Sequence, residues 1–170
     1  MKTAEEFLKN VARVHAIIND IIARANAALS EENRRSGGYL TIRHAKTGQI
    51  VLILACGIIP EEKQARYLHL SQEKGQRLFN NPGHCLSWES RNPANNEFAG
   101  ALRGYRYIYS FSGHQENIDE AISLAAFYLV ESVATAWPED PDIKVAFNHV
   151  KFHLFDRNPQ AEQILRYCLH

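Results

Sequence analysis

The sequence has little of what several specialised classes of protein require. Its three cysteines, Cys56, Cys85 and Cys168, are far apart and odd in number, so neither a disulfide framework nor a Cys-X-X-Cys motif is predicted. Its 19 basic residues are balanced by 19 acidic residues. That balance argues against nucleic-acid and membrane-surface partners, which normally require a basic excess. We therefore expect reduced thiols and no nucleic-acid partner.

Long apolar runs are also missing. No stretch reaches the roughly 18–20 apolar residues that span a bilayer. The first ten residues, MKTAEEFLKN, contain acids and no apolar segment of the kind found in signal peptides. These absences predict a cytoplasmic protein without a membrane segment. The 170 residues suffice for one domain with a substantial core.

The most informative stretch, residues 105–133, changes its pattern at Ser112 and Gly113. Aromatic and β-branched residues at 105–111 favour a strand. Apolar residues then recur at helical spacing as far as Val133. Ser112 or Asn117 is expected to cap this helix.

The remaining chain is divided by glycine- and proline-containing breaks. The other predicted elements are helix 3–29, strands 39–44 and 49–58 as one hairpin, helix 61–79, strand 84–91, and strand 98–103 in a second hairpin with 105–111. Strand 49–58 is almost continuously apolar, which is typical of a central strand buried on both faces. This order predicts an α+β fold with a single antiparallel sheet of about five strands, covered by helices in a profilin-like α-β-α layering.

A breaker at residues 136–141 separates the main domain, predicted for 1–136, from a C-terminal extension at 137–170. The extension contains a short predicted helix at 160–169. It also has too many apolar residues for a solvated tail. We therefore expect it to pack on the main domain or on a neighbouring subunit.

Four short motifs resemble those of a known family. Ser112-Gly113, Asp119-Glu120 and Ala125-Ala126 resemble the closing signature of the GlcG/HbpS-like haem-binding (haem-degrading) family. In that family a strand ends in Ser-Gly and a helix begins with an Asp-Glu pair. Lys74-Gly75 is similar to the family's Lys-Ala helix, and the resemblance covers roughly residues 11–132.

The resemblance implies a protein that binds or senses a small molecule and forms a homodimer or a higher homo-oligomer. Haem, another tetrapyrrole or a small organic acid would be the ligand. The alternatives are an enzyme acting on haem or a small organic acid, and a structural oligomerisation domain. Binding is favoured over catalysis, because no paired carboxylates, Ser/His/Asp set or metal cluster occurs at a telling spacing.

The turn formed by Ser112, Gly113 and His114 is the candidate ligand site. A strand that leads into a helix through Ser-Gly presents backbone N–H groups and the positive end of the helix dipole, which suits a carboxylate or phosphate. We expect His114, beside this turn, to titrate near neutral pH. The alternative is purely structural: Gly113 makes the turn and Ser112 caps the helix.

The helix start should face a pocket floored by strands 49–58 and 105–111. Glu116 and Asp119 would oppose an anion there, because acids already occupy the positive end of the helix. We therefore expect Tyr107 and Tyr109, which alternate on one strand face, to hold the apolar body of the ligand. A tyrosine row that simply packs against a helix is the equally weighted alternative.

Two further groups carry potential metal or nucleophile chemistry. His149 and His153 are four residues apart, the spacing of many zinc pairs on a helix. No adjacent glutamate and no third ligand is evident, so we interpret them as surface or packing residues and predict no metal site. Cys85 lies beside His84, but neighbours on a strand point to opposite faces, so it is interpreted as a small core residue.

Overall fold

The computed structural model describes residues 4–27, 30–31, 34–132 and 141–168. In chain order the helices and strands are α1 (Ala4–Ala27), β1 (Gly37–His44), β2 (Ile50–Gly57), α2 (Glu61–Asn80), β3 (Ala101–Arg103), β4 (Tyr107–Ser112), α3 (Glu116–Phe127), α4 (Pro141–Arg157) and α5 (Pro159–Cys168). Among the described residues, no helix is both long and apolar enough to cross a bilayer. The predicted α+β class is confirmed.

The sheet has four strands in the order β2-β1-β4-β3, and every neighbouring pair is antiparallel. Both predicted hairpins are present. The turn between β1 and β2 uses Gly48 at a φ of 73°, a conformation that glycine adopts without strain. β1 is a central strand, because it pairs with β2 on one side and with β4 on the other.

The predicted strand at 84–91 is wrong, which accounts for four strands instead of about five. This segment makes only an isolated bridge between Leu86 and Leu102 and then a 3-10 turn, Ser87–Ser90. The Glu89 carboxylate accepts the backbone N–H groups of Cys85 and Leu86, both at 2.8 Å. These bonds fold the chain back on itself, so its backbone groups are not available to a further strand.

The two faces of the sheet have different cover. Leu40, Tyr109 and Phe111 face the main apolar core, which contains buried residues of α1 and α3. Thr41 and Ser110 face α2: the Thr41 hydroxyl lies 2.9 Å from that of Ser71, and Ser110 donates to the Ser71 carbonyl. The sheet is therefore enclosed between α2 and a layer that includes α1 and α3.

β2 is an edge strand, so its predicted burial on both faces is wrong. Its residues Leu52, Leu54 and Cys56 pack towards the core, whereas Ile50, Val51 and Ile53 are 41–46% exposed. The reason lies in the position of α2, which covers β1, β4 and β3. The apolar run therefore reflects one covered face and one open face.

Helix α1 protects the second half of the β2 edge. His15 Nε2 donates to the Ala55 carbonyl at 2.9 Å, and the Gly57 N–H donates to Asn19 Oδ1 at 2.7 Å. Unpaired backbone groups on an edge strand invite pairing with another chain. These side chains satisfy two such groups, and both fall at the C-terminal end of β2.

The C-terminal helices share the main core. Buried residues of α4 and α5 belong to the same apolar cluster as Tyr109 and Phe127: Ile143, Phe147, Val150, Leu154, Ala161 and Leu165. The predicted helix at 160–169 corresponds to α5, which lies against α3. Most of the predicted breaker at 136–141 lies outside the described residues.

Replacing Leu154 with Ala should destabilise the protein by about 2–5 kcal/mol, because it leaves a cavity at a fully buried site on α4. Urea unfolding followed by circular dichroism measures the change. Val145→Ala on the same helix is the matched control, since Val145 is 67% exposed. Equal effects of the two substitutions would show that α4 does not pack on the core in solution.

Candidate ligand-binding cleft

A cleft of about 460 Å³ lies between the first half of α2 and the turn that connects β4 to α3. Its lining residues are Arg35, Lys63, Arg66, Tyr67, Leu70, Lys74, Phe98, Ser112, Gly113, His114, Gln115, Glu116 and Asp119. The volume falls within the range of small-molecule sites. The cleft therefore contains the predicted Ser112-Gly113-His114 turn together with one face of α2.

One wall of the cleft contains a buried ion pair between Lys74 of α2 and Asp119 of α3. The Lys74 ammonium donates to Asp119 Oδ2 at 2.8 Å and to the Phe111 carbonyl at 3.0 Å. Asp119 Oδ1 accepts the backbone N–H of His114 at 2.9 Å. Burial raises the pKa of Asp119 to about 6, while Lys74 and the His114 N–H oppose that shift. The carboxyl group is therefore ionised at neutral pH and joins α2, β4 and the turn.

Gly100 makes room for this ion pair. Its φ is 128°, and a Cβ at this position would lie 2.7 Å from Lys74 Nζ and 2.8 Å from the Asp119 Cβ. Any side chain would therefore be strained and would also collide with both partners. A glycine is required here because the Lys74 ammonium and the Asp119 side chain both approach the backbone closely.

Glu116, the second acid of the cleft, is also paired. Its carboxylate accepts hydrogen bonds from Arg91, whose Nε is shared between the two oxygens at 2.9 Å and whose Nη2 donates to Oε2 at 2.8 Å, and one more from the Ala99 N–H at 2.7 Å. Burial would raise the pKa of Glu116, but the bonds from Arg91 and Ala99 outweigh it and lower the pKa. Both acids that were expected to repel an anion are thus neutralised by partners.

His114 lines the cleft as a neutral imidazole. Burial, followed by the positive charge of Arg35, lowers its pKa to about 4. Both ring nitrogens are buried, and neither has a hydrogen-bond partner among the described residues. The expected titration near neutral pH is therefore not supported, because the proton binds only in acid.

The basic residues of the cleft outnumber the acids. Lys63 and Arg66 are contributed by the first turns of α2, and Arg35 lies just before β1. Neither Lys63 nor Arg66 forms an ion pair in the part of the chain that the structure describes. Because Glu116 and Asp119 already have cationic partners, the cleft retains excess positive charge.

The structure separates the two predicted tyrosines from the turn. Tyr107 and Tyr109 lie on the core face of β4, whereas Ser112 lies on the α2 face, because alternate strand residues point in opposite directions. Tyr109 is fully buried, and its hydroxyl donates to Glu131 Oε1 at 2.9 Å. Neither tyrosine lines the cleft, and neither does any residue of β2.

The start of α3 also differs from the prediction. The helix begins at Glu116 after Gln115, and no side chain caps it. Ser112 is the last residue of β4, and Asn117 lies inside the helix, so the prediction that one of them is the cap was wrong. Gly113 has a structural role, because a Cβ there would lie 2.5 Å from the Gly37 carbonyl oxygen.

Sequence reasoning missed the contribution of α2. Lys63, Arg66, Tyr67, Leu70 and Lys74 are spaced so that one helix face carries all five. We predicted a helix at 61–79 but assigned none of its residues to the ligand site, although this spacing is visible in the sequence. The signal was a face that combines three cations with an aromatic and an apolar residue.

The sequence matches no family model, and no curated protein or solved structure is significantly similar to it. The resemblance to the GlcG/HbpS-like family therefore stays a prediction. The structure does bring the residues of its motifs together: Lys74 bonds to Asp119, and Ser112 and Gly113 line the same cleft.

Replacing Lys74 with Met should destabilise the protein by about 3–5 kcal/mol, because the Asp119 carboxylate would remain buried without its cation. The double variant Lys74→Met with Asp119→Asn should recover at least half of that loss, since the amide removes the charge and keeps an acceptor for His114. Chemical denaturation at pH 7 measures both. A double variant as unstable as Lys74→Met would contradict this account of the pair.

Proposed function

We propose that this chain is a binding or sensing protein for a small organic acid, which it holds in the cleft by a carboxylate. The observation that carries the proposal is the pair of basic side chains, Lys63 and Arg66, at a cleft whose two acids are already paired. A carboxylate would gain charge-assisted hydrogen bonds there, each contributing about 1.5–3 kcal/mol.

The apolar lining supports an organic anion in preference to a small inorganic one. Leu70 and Phe98 line the cleft together with the ring of Tyr67. A ligand with a short carbon skeleton can bury apolar surface against these residues while its carboxylate reaches Arg66 and Lys63. Sites of this kind combine a mainly apolar wall with a few polar groups that orient the ligand.

Haem is the ligand that the family resemblance implies, and the cleft fits it less well. His114 is the histidine among the lining residues, and both of its ring nitrogens are buried. The ring does not present a nitrogen to the open space of the cleft for bonding to iron. The basic residues would suit propionate groups, but they suit any carboxylate equally, so a smaller acid is favoured.

Binding without catalysis is also the better supported role. Catalytic nucleophiles are recognised by a general base within hydrogen-bond reach. The Lys74 ammonium is occupied by Asp119 and by the Phe111 carbonyl, and the His114 ring has no hydrogen-bond partner among the described residues. The lining groups offer charge and shape, with no such pair among them.

Calorimetry against a panel of small mono-, di- and tricarboxylates, with their amides as controls, tests the proposal. We expect at least one carboxylate to bind while its amide does not, because the amide lacks the charge that the basic side chains recognise. Arg66→Gln should weaken that binding at least tenfold, whereas Lys144→Gln, an exposed position on α4, should leave it unchanged.

Haem titration is the second arm of the same experiment. A shifted Soret band together with no carboxylate binding would replace the organic acid by a tetrapyrrole. Wild-type protein that binds neither class, or Arg66→Gln protein that binds as wild type does, would overturn the proposed site.

We further propose that the chain forms a homodimer through the open part of β2. Strand β2 contains neither charged residues nor proline, the usual features that protect an edge strand, and Ile50, Val51 and Ile53 are exposed on it. A second copy of the same strand is complementary to this edge, because antiparallel pairing about a twofold axis matches like with like.

Ile53→Lys should shift the protein from dimer to monomer, because it places a charge in the middle of the apolar interface. Light scattering coupled to size-exclusion chromatography at micromolar concentration measures the mass. Val145→Lys, at an exposed apolar position on α4, should remain dimeric. A monomeric wild-type protein under these conditions would contradict the proposal.

A further inference from the structure

Two histidines of α4 lie close to a cysteine that is distant from them in the sequence. Cys85 Sγ and one ring nitrogen each of His149 and His153 all lie within 4.8 Å of one another. Cys85 precedes the 3-10 turn Ser87–Ser90, and the two histidines occupy successive turns of α4. The cluster lies outside the cleft, since none of the three residues lines it.

The backbone holds each of these residues in place. The Cys85 N–H donates to Glu89 Oε1 at 2.8 Å, and its carbonyl accepts the Arg103 N–H at 2.9 Å. Helix α4 is fixed by the buried residues on its other side, so His149 and His153 project together and their ring centroids lie 4.6 Å apart. Both histidines are exposed, so their side chains can rotate.

We propose that Cys85, His149 and His153 form a three-ligand site for a divalent transition-metal ion of the Zn²⁺ type, with the fourth coordination position open to water. One thiolate and two imidazoles are the donor set that such an ion prefers. A tetrahedral zinc ion sets its S and N ligands roughly 3.3–3.6 Å apart, given bonds of about 2.3 and 2.0–2.1 Å. Small rotations of the two histidine side chains reach that spacing.

The charged groups around the cluster shift the pKa of the Cys85 thiol in opposite directions. Burial, followed by the hydrogen bond and the negative charge of Glu89, raises the pKa of Cys85 to about 11, and the positive charge of Arg103 opposes the shift. The metal therefore displaces a proton: the S–H bond breaks, the sulfur donates its electron pair to the ion, and the proton goes to solvent. The Glu89 carboxylate remains beside the site and favours a cation there.

The site would join α4 to the main domain. Cys85 belongs to the segment that leads towards β3, whereas both histidines lie on α4. An ion that binds only when the two parts are together stabilises the folded state by an amount that rises with the logarithm of its concentration once that exceeds the dissociation constant. Metal binding should therefore raise the melting temperature as well as give a spectroscopic signal.

Titration of the full chain with Co²⁺ and Zn²⁺ tests the proposal. We expect one ion per chain, a thiolate-to-cobalt charge-transfer band that Zn²⁺ removes, and a melting temperature that rises with Zn²⁺ and returns with a chelator. Cys85→Ser should abolish the charge-transfer band. His149→Ala and His153→Ala should each weaken binding at least tenfold.

His69→Ala is the matched control, because His69 is an exposed histidine on α2 outside the cluster, and it should bind as wild type does. Melting in chelator verifies that every variant is folded. If Cys85→Ser does not fold, the two exposed histidine variants still decide the result. The proposal is overturned if the wild type binds no ion, or if the His149 and His153 variants bind as tightly as His69→Ala.

Discussion

The buried ion pair between Lys74 and Asp119 is the interaction that sets the geometry of the cleft. It links α2, on one face of the sheet, to the end of β4 through the Phe111 carbonyl and to the following turn through the His114 N–H. A pair of this kind adds little net stability, because desolvation costs about as much as the attraction returns. What it supplies is position: it sets where α2 lies relative to the turn, and thereby the width of the cleft.

A second buried acid near the start of α3 connects this helix to the C-terminal helices. Glu120, next to Asp119, accepts bonds from Arg157 and Asn158, at the corner between α4 and α5. Burial raises the pKa of Glu120, and Arg157 opposes that shift. Two neighbouring acids thus point away from each other, one towards α2 and the other towards the C-terminal corner. Both contacts are therefore anchored on neighbouring residues of one helix.

The local sequence pattern predicted the hairpins, α2 and α5, because strand alternation, glycine turns and helical spacing depend only on residues that are close together in the sequence. The local pattern failed where contacts with residues distant in the sequence determine the structure. The segment after His84 forms a turn because Glu89 bonds back to the backbone. Strand β2 was predicted to be central and buried on both faces, because its own residues do not show which strands α2 covers. The turn at Ser112 was predicted as a site and lines the cleft, whereas Tyr109 lies on the opposite face of β4, because alternate strand residues point in opposite directions.

The two edges of the sheet are protected unequally, and this sets a limit on growth. At the β3 edge, the segment before the 3-10 turn already occupies the strand: the Arg103 N–H donates to the Cys85 carbonyl at 2.9 Å, and Leu86 bridges to Leu102. At the other edge, side chains of α1 bond to Ala55 and Gly57, and the described residues leave the first half of β2 uncovered. A sheet with one available edge can accept one neighbour and then has none left to offer. Among the described residues, strand addition at β2 would thus leave the sheet with no equivalent edge from which a fibre could grow.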